Sequence, residues 1–340
     1  MRTFRNIAGV IVAALALASL AACDSVQADA GRVAAALESL PSVVSATGDG
    51  NGMQLNRDAQ SVVSVVVEPR APLDDVQAVV TAWFRASGDL PGTALAIAMP
   101  ATEIDGDHTL QIARSAYGEH DLAAVVGGWY SLTESYARVT REVQSAATPG
   151  DPYGVTTIVA ADAATPSQLA DAVAQLAELG DDPGMTWWLQ STGDVDSAAT
   201  SVTAFSRNEL PNDEMVSLLV GFDDAYARAE GVGGMNLEVA TNYDGVYQVK
   251  ANINADSMRG VPEADVAGQL EASDAWEVVR SVASAVGPDA RIDVAFSVLG
   301  YPAFAELDTT DCSKQNYAQY AELGPAVWNT WPGATDLPCI

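Results

Sequence analysis

The stretch SVVSVVVEPRAPLDDVQAVVTAW, residues 61–83, decides the fold. Its first half is β-branched valine broken only by serine, the composition of a strand packed on a core. Glu68 and Pro69 end that run, and Pro72 opens the second half. Proline suits the start of a helix, where its missing N–H has no partner to lose. Asp74 and Asp75 follow in the first turn, against the positive end of the helix dipole. Val76, Val79, Val80 and Trp83 then recur three and four residues apart, an apolar stripe along one helix face. A valine strand followed at once by an amphipathic helix predicts a sheet with helices packed on it.

The same alternation extends in both directions. Upstream, Gly31 to Leu40 reads as a short helix and Ser42 to Thr47 as a strand, with a GDGNG turn leading into residue 61. Downstream lie two more strands, ALAIAMP (94–100) and HTLQIARS (108–115). A second round follows: a helix from His120 to Ser135, strands at 139–146 and 154–162, a helix with Leu169, Val173 and Leu176 on its face, and strands at 186–192 and 201–207. In a third, residues 212–229 are helical, 235–242 and 245–253 form a hairpin turned by Asn242, Asp244 and Gly245, and a helix carrying Trp276, Val279 and Val282 precedes a strand at 291–299. The opening strands begin near Val43, Val139 and Met235, each 96 residues from the last. The expectation is an α+β protein of two or three tandem helix-covered antiparallel-sheet units, α-β-β-α-β-β, over 31–116, 117–208 and 209–300, with a tail at 301–340. The element order resembles the αββαβ modules called BON domains. The glycine-centred motif of that family is not evident, and no residue is carried over from it.

The first 22 residues have a different character. Arg2 and Arg5 precede an apolar run, IAGVIVAALALASL, which ends in Ala21, Ala22 and Cys23. This is the layout of an export signal. It resembles the lipobox of bacterial lipoproteins, which implies a diacylglyceryl group on the Cys23 thiol and Cys23 as the mature N-terminus. The apolar run is shorter than the roughly 20 residues of a membrane span. An ordinary secretion signal is the alternative, because small residues also suit that cleavage. Residues 23–30 read as a polar tether, so the partner implied first is the membrane, reached through the lipid on Cys23 at the outer face of the cytoplasmic membrane.

Charge narrows the remaining partners. The 340-residue chain carries 45 acidic and 16 basic residues, a net charge of −29. Loss of residues 1–22 removes two arginines and no acid, leaving about −31. Such a body repels nucleic acid and anionic headgroups alike. After Cys23 only Cys312 and Cys339 remain, and in an exported chain they are expected to pair. The closed loop of about 27 residues is worth about 3.5 kcal/mol in the chain-entropy model.

Motifs for catalysis are missing. The sequence has no G-x-S-x-G elbow, S-x-x-K, H-E-x-x-H or Walker A. Two histidines, His108 and His120, offer few nucleophile–base pairs and no metal set, so no cofactor or metal is expected. The Asp-rich turns lack the EF-hand spacing, and the glycines at 231–234 do not open a helix as a phosphate cradle would. The aromatics remain. Trp187 and Trp188 are adjacent, so in a strand one points to each face. Trp328 and Trp331 lie between the two late cysteines, where they either cap the last sheet or join Trp187 and Trp188 as a binding surface. The reading is a lipid-anchored binding or scaffolding protein with an envelope protein or glycan partner. A carboxylate-dependent hydrolase of cell-wall polymers and the solute-binding lipoprotein of a transporter are the alternatives.

Overall fold

A computed structural model describes residues 26–50, 61–101 except 89 and 91, 107–116, 121–144, 154–161, 163, 165–177, 185–191, 201–207, 211–241, 246–262, 265–287, 291–298, 301–309 and 323–333. Helices and strands alternate throughout. Helix α1 (26–37) leads into β1 (Val43–Asp49) and β2 (Ser61–Val67), followed by α2 (Leu73–Ser87), β3 (Thr93–Pro100), β4 (Asp107–Ala113), α3 (Leu122–Thr133), β5 (Arg138–Val143) and β6 (Val155–Ala161). Next come α4 (Pro166–Ala177), β7 (Met185–Ser191), β8 (Ser201–Arg207), α5 (Asp213–Gly221), α6 (Asp223–Glu230), β9 (Met235–Thr241) and β10 (Tyr247–Ile253). The chain ends with α7 (Val266–Glu271), α8 (Asp274–Ala285), β11 (Ile292–Val298), β12 (Tyr301–Asp308) and α9 (Gly324–Trp328). The helical stripes are where periodicity put them: Val76, Val79, Val80 and Trp83 are buried, as are Leu169, Val173 and Leu176.

Strand pairing corrects the expectation of wholly antiparallel units. β1–β2, β3–β4, β7–β8, β9–β10 and β11–β12 are antiparallel. β2–β3, β4–β5, β8–β9 and β10–β11 are parallel. The reason is the helix between each parallel pair. A strand that ends in a helix running back along the sheet must start its successor in the same direction. The architecture is therefore mixed α/β.

It also halves the repeat. The hairpins open at Val43, Thr93, Arg138, Met185, Met235 and Ile292, which are 50, 45, 47, 50 and 57 residues apart. The 96-residue spacing counts every second hairpin, and the unit that recurs is one helical segment and one hairpin. The chain divides into two compact units, one reaching to Thr157 and one beginning at Ile158. That division falls inside β6.

In the first unit, α2 packs on α3, and the strands alternate between a buried and a partly open side. Leu95, Ile97 and Met99 of β3 lie in the core with Leu110 and Ile112 of β4, while Ala96 and Ala98 point away. In the second unit, α4 packs on α5 and α6, and α6 and α7 pack on α8. Tyr247, Val249, Ala251 and Ile253 of β10 are buried there, whereas Gln248 and Lys250 are exposed. Among the described residues, one face of the strands in each unit is thus covered by helices and no helix packs on the other.

Helix α1 begins within the segment read as a tether. Its Ala30, Val33, Ala34 and Leu37 are buried at helical spacing, and the Gln27 amide donates to the Gly48 carbonyl at 2.7 Å. The helix lies so close to β1 that a Cβ on Gly48 would stand 2.3–2.5 Å from the backbone of Ala30 and Gly31. Gly48→Ala is therefore expected to lower stability by about 1–3 kcal/mol in urea unfolding. Gly31→Ala, whose Cβ would meet nothing within 4 Å, should leave stability unchanged or raise it slightly.

Candidate functional site

The helix-free face of the first unit holds a shallow, solvent-open depression with a cavity volume of only about 10 Å³. Strand registry explains it. Ser64, Ala96, Gln111 and Glu142 stand in one row across β2 to β5, and Val62, Ala94 and Ala113 in the next. Alanine at alternate positions of ALAIAMP leaves a low floor between valine on one side and longer polar side chains on the other. Glu142 and Gln144 form the far wall. The Gln144 amide donates to the Glu142 carboxylate at 3.5 Å, the limit for a hydrogen bond. Burial pushes the Glu142 carboxyl above the ordinary carboxylate value, and the contact with Gln144 offsets this only in part.

The corresponding face of the second unit is a polar ladder. Ser201 donates to the Asn236 carbonyl oxygen at 2.9 Å, Lys250 to Glu238 at 2.6 Å, and Ser297 to Asn252 at 3.1 Å. Lys250 and Glu238 are directly opposed in register, which places opposite charges side by side between strands. One aromatic pair interrupts the ladder. Trp188 lies against Phe205 with ring centroids 4.3 Å apart. Both face away from the helices, and Phe205 is buried beneath its half-buried neighbour.

The other aromatics named from the sequence are inside. Trp187 is 2% exposed, on the opposite side of β7 from Trp188. Trp328 and Trp331 are 4% and 3% exposed, with centroids 5.0 Å apart, and the Trp331 indole donates to the Gly287 carbonyl at 3.1 Å. Helix α9 packs on β12 and α8. Of the four tryptophans only Trp188 is left to form a surface, because burying an indole is worth more than leaving it in water. Cys23, Cys312 and Cys339 lie outside the described residues.

Two buried polar groups on the helix side escaped sequence reasoning. Arg141 is 1% exposed; its guanidinium donates to Thr157 Oγ1 at 3.0 Å and to the Val125 carbonyl at 2.8 Å. Room for it comes from Gly128 of α3, where a Cβ would stand 2.8 Å from the guanidinium. The signal was present in VTREV, whose alternation puts Arg141 in line with Val139 and Val143 and turns Glu142 to the other face. His108 is 5% exposed, and its Nδ1 has no hydrogen-bond partner among the described residues.

Among the described residues Glu142 is the one carboxylate that lines the depression. No group of three or more metal-binding side chains occurs among the described residues.

No family model, curated protein or solved structure matches this chain.

His108 makes the fold sensitive to acid. Burial holds its pKa below the ordinary 6.5, with a smaller opposing effect from Asp107. As pH falls through 6.5, the unfolded chain takes up a proton at this position that the folded chain refuses. Stability should decline from there downward until the folded imidazole also titrates. His108→Gln should flatten that slope between pH 6.5 and 5 in urea unfolding; an unchanged slope would assign it to other groups.

Proposed function

We propose that this protein is a lipid-anchored binding or scaffolding protein of the cell envelope, held at the outer face of the cytoplasmic membrane through Cys23. The observation that carries the binding role is the helix-free sheet face in each unit, which leaves side chains with hydrogen-bonding capacity outside the core. The lipobox resemblance of residues 1–23 supports the anchor. The strongly acidic body gives Cys23 an attachment that surface charge would oppose. No helix among the described residues is long and apolar enough to cross a membrane. Helix α1 already includes residues 26–30, which belonged to the segment read as a tether.

The same reading pairs Cys312 with Cys339 and lets that disulfide hold the C-terminal segment whose Trp328 and Trp331 pack beside α8. The partner is an envelope protein or a glycan, met by the polar ladder and by Trp188. Amides, hydroxyls and a single indole suit such a partner better than they suit a charged surface.

Two measurements test this. Cys23→Ala should release the chain to the medium or leave it as an unprocessed precursor; processed chain still in the membrane would overturn the anchor. Crosslinking in intact cells should recover a protein or glycan, and recovery of lipid alone would defeat the binding role.

A further inference from the structure

We infer that the Gln27 side chain is an edge guard: it takes the place of a neighbouring strand beside β1 and keeps two copies of this chain from joining through that edge. The device acts on self-association and is independent of the binding role proposed above.

The edge itself calls for a guard. Strand β1 stands at the end of the strand order, with β2 as its one neighbour among the described strands. The outer side of such a strand presents a row of N–H and C=O groups to any strand that comes alongside. Its sequence, VVSATGD, has no lysine or proline to discourage that approach, and Val44 is 62% exposed. A register shift between Val43 and Ser45 disturbs the start of the edge, whereas pairing with β2 is regular from Ser45 to Asp49. The regular end is the one that Gln27 meets.

Gln27 does there what a strand would do. Its amide nitrogen donates to the Gly48 carbonyl at 2.7 Å, and its Oε1 accepts from the Gly50 N–H. In a strand the N–H and C=O of one residue leave on the same side, as do those of the residue two further on. A residue of an adjacent parallel strand bonds such a pair with its own N–H and C=O. A glutamine amide carries the same donor and acceptor in one plane. The two glycines make room for it. A Cβ on Gly50 would stand 2.8 and 2.9 Å from the Gln27 backbone, and one on Gly48 would stand 2.3–2.5 Å from Ala30 and Gly31. Glycine weakens a strand and marks a place where another backbone comes close. Helix α1 is held by the buried Ala30, Val33, Ala34 and Leu37, whereas Gln27 is exposed. Its amide therefore serves the strand edge and not the core.

The occupant kept out is a second β1. Two identical edges laid antiparallel about a twofold axis meet the same groups on both sides, the isologous arrangement of most dimers. Any pairing along the regular part of β1 uses the Gly48 carbonyl, which Gln27 already holds. The net charge of −29 repels a second copy at long range. Salt screens that repulsion beyond about 8 Å at physiological ionic strength, so the contact has to be blocked locally.

The test is sedimentation velocity of the full-length protein in a nonionic detergent over about 0.01–1 mM. The unaltered chain should remain monomeric. Gln27→Ala and Gln27→Met remove the amide and keep a good helix former. Each should form dimers whose share rises with concentration, with an affinity on the order of tenfold or more above that of the unaltered chain. Amide exchange at Ala46 and Gly48 should slow in those dimers. Val44→Lys on the Gln27→Ala background sets a charge on the edge and should restore the monomer. Monomeric Gln27→Ala and Gln27→Met, each folded by circular dichroism and thermal midpoint, would overturn the inference. Dimers that survive Val44→Lys, or that leave exchange in β1 unchanged, would overturn it too, because they form elsewhere.

Discussion

Every parallel pair of strands described in this protein is joined by helix, and that constraint governs the rest. A helix that runs back along the sheet must lie on one of its faces. Within each unit the described helices lie on the side of the strands that carries the most deeply buried side chains. In each unit these helices bury valine, leucine and tryptophan, and among the described residues no helix packs on the opposite face, where Val62, Ala94 and Phe205 are nonetheless buried. From that asymmetry come the alternation in β10, the alanine floor of β3 and the solvent-facing polar ladder.

The helix layer is fastened by polar contacts as well as by packing. In the second unit, Asp223 at the start of α6 accepts from the backbone and hydroxyl of Ser167 on α4, and Asp224 accepts from Arg228 at 2.7 Å and Ser281 of α8 at 2.9 Å. The bond from Arg228, with help from Ser281, holds the exposed Asp224 carboxyl below its ordinary value. In the first unit, Arg114 reaches the C-terminal end of α2. It donates to the Phe84 carbonyl at 3.0 Å and the Ser87 hydroxyl at 2.6 Å and lies over the Phe84 ring, a cation placed where the helix dipole favours one. Arg141 is a stricter case. A charge buried that completely is tolerated because its donors are met by Thr157 and by the Val125 carbonyl in α3, under the gap left by Gly128.

Local structure and the hairpin of β9 and β10 were legible in the sequence; the parallel pairings were not. Residues 61–83 announce a strand and a helix because valine branching and a four-residue stripe are local properties. Whether two strands run parallel depends on the path between them, and nothing in ALAIAMP or SVVSVVV states it. The repeat was read at twice its length because the helix-and-hairpin modules share no motif, and only their spacing ties Val43 to Thr93 and Arg138. The part of helix α1 before Gly31 was hidden by composition, since DSVQADA buries a small Ala30 where a larger apolar residue would have given the stripe away. The two faces at Trp187 and Trp188 followed from strand geometry alone. The placement of Glu142 follows from alternation: in VTREV, Arg141 shares a side of β5 with Val139 and Val143 and Glu142 takes the other.

The most direct test of the one-sided architecture is a cysteine scan of β10, read by maleimide labelling of the folded protein after subtraction of the unaltered chain's background. Cysteine at Gln248, Lys250 and Asn252 should label readily, and cysteine at Val249 and Ala251 only after denaturation. Protection at both sets of positions would mean that the second face is covered too, and would contradict the account.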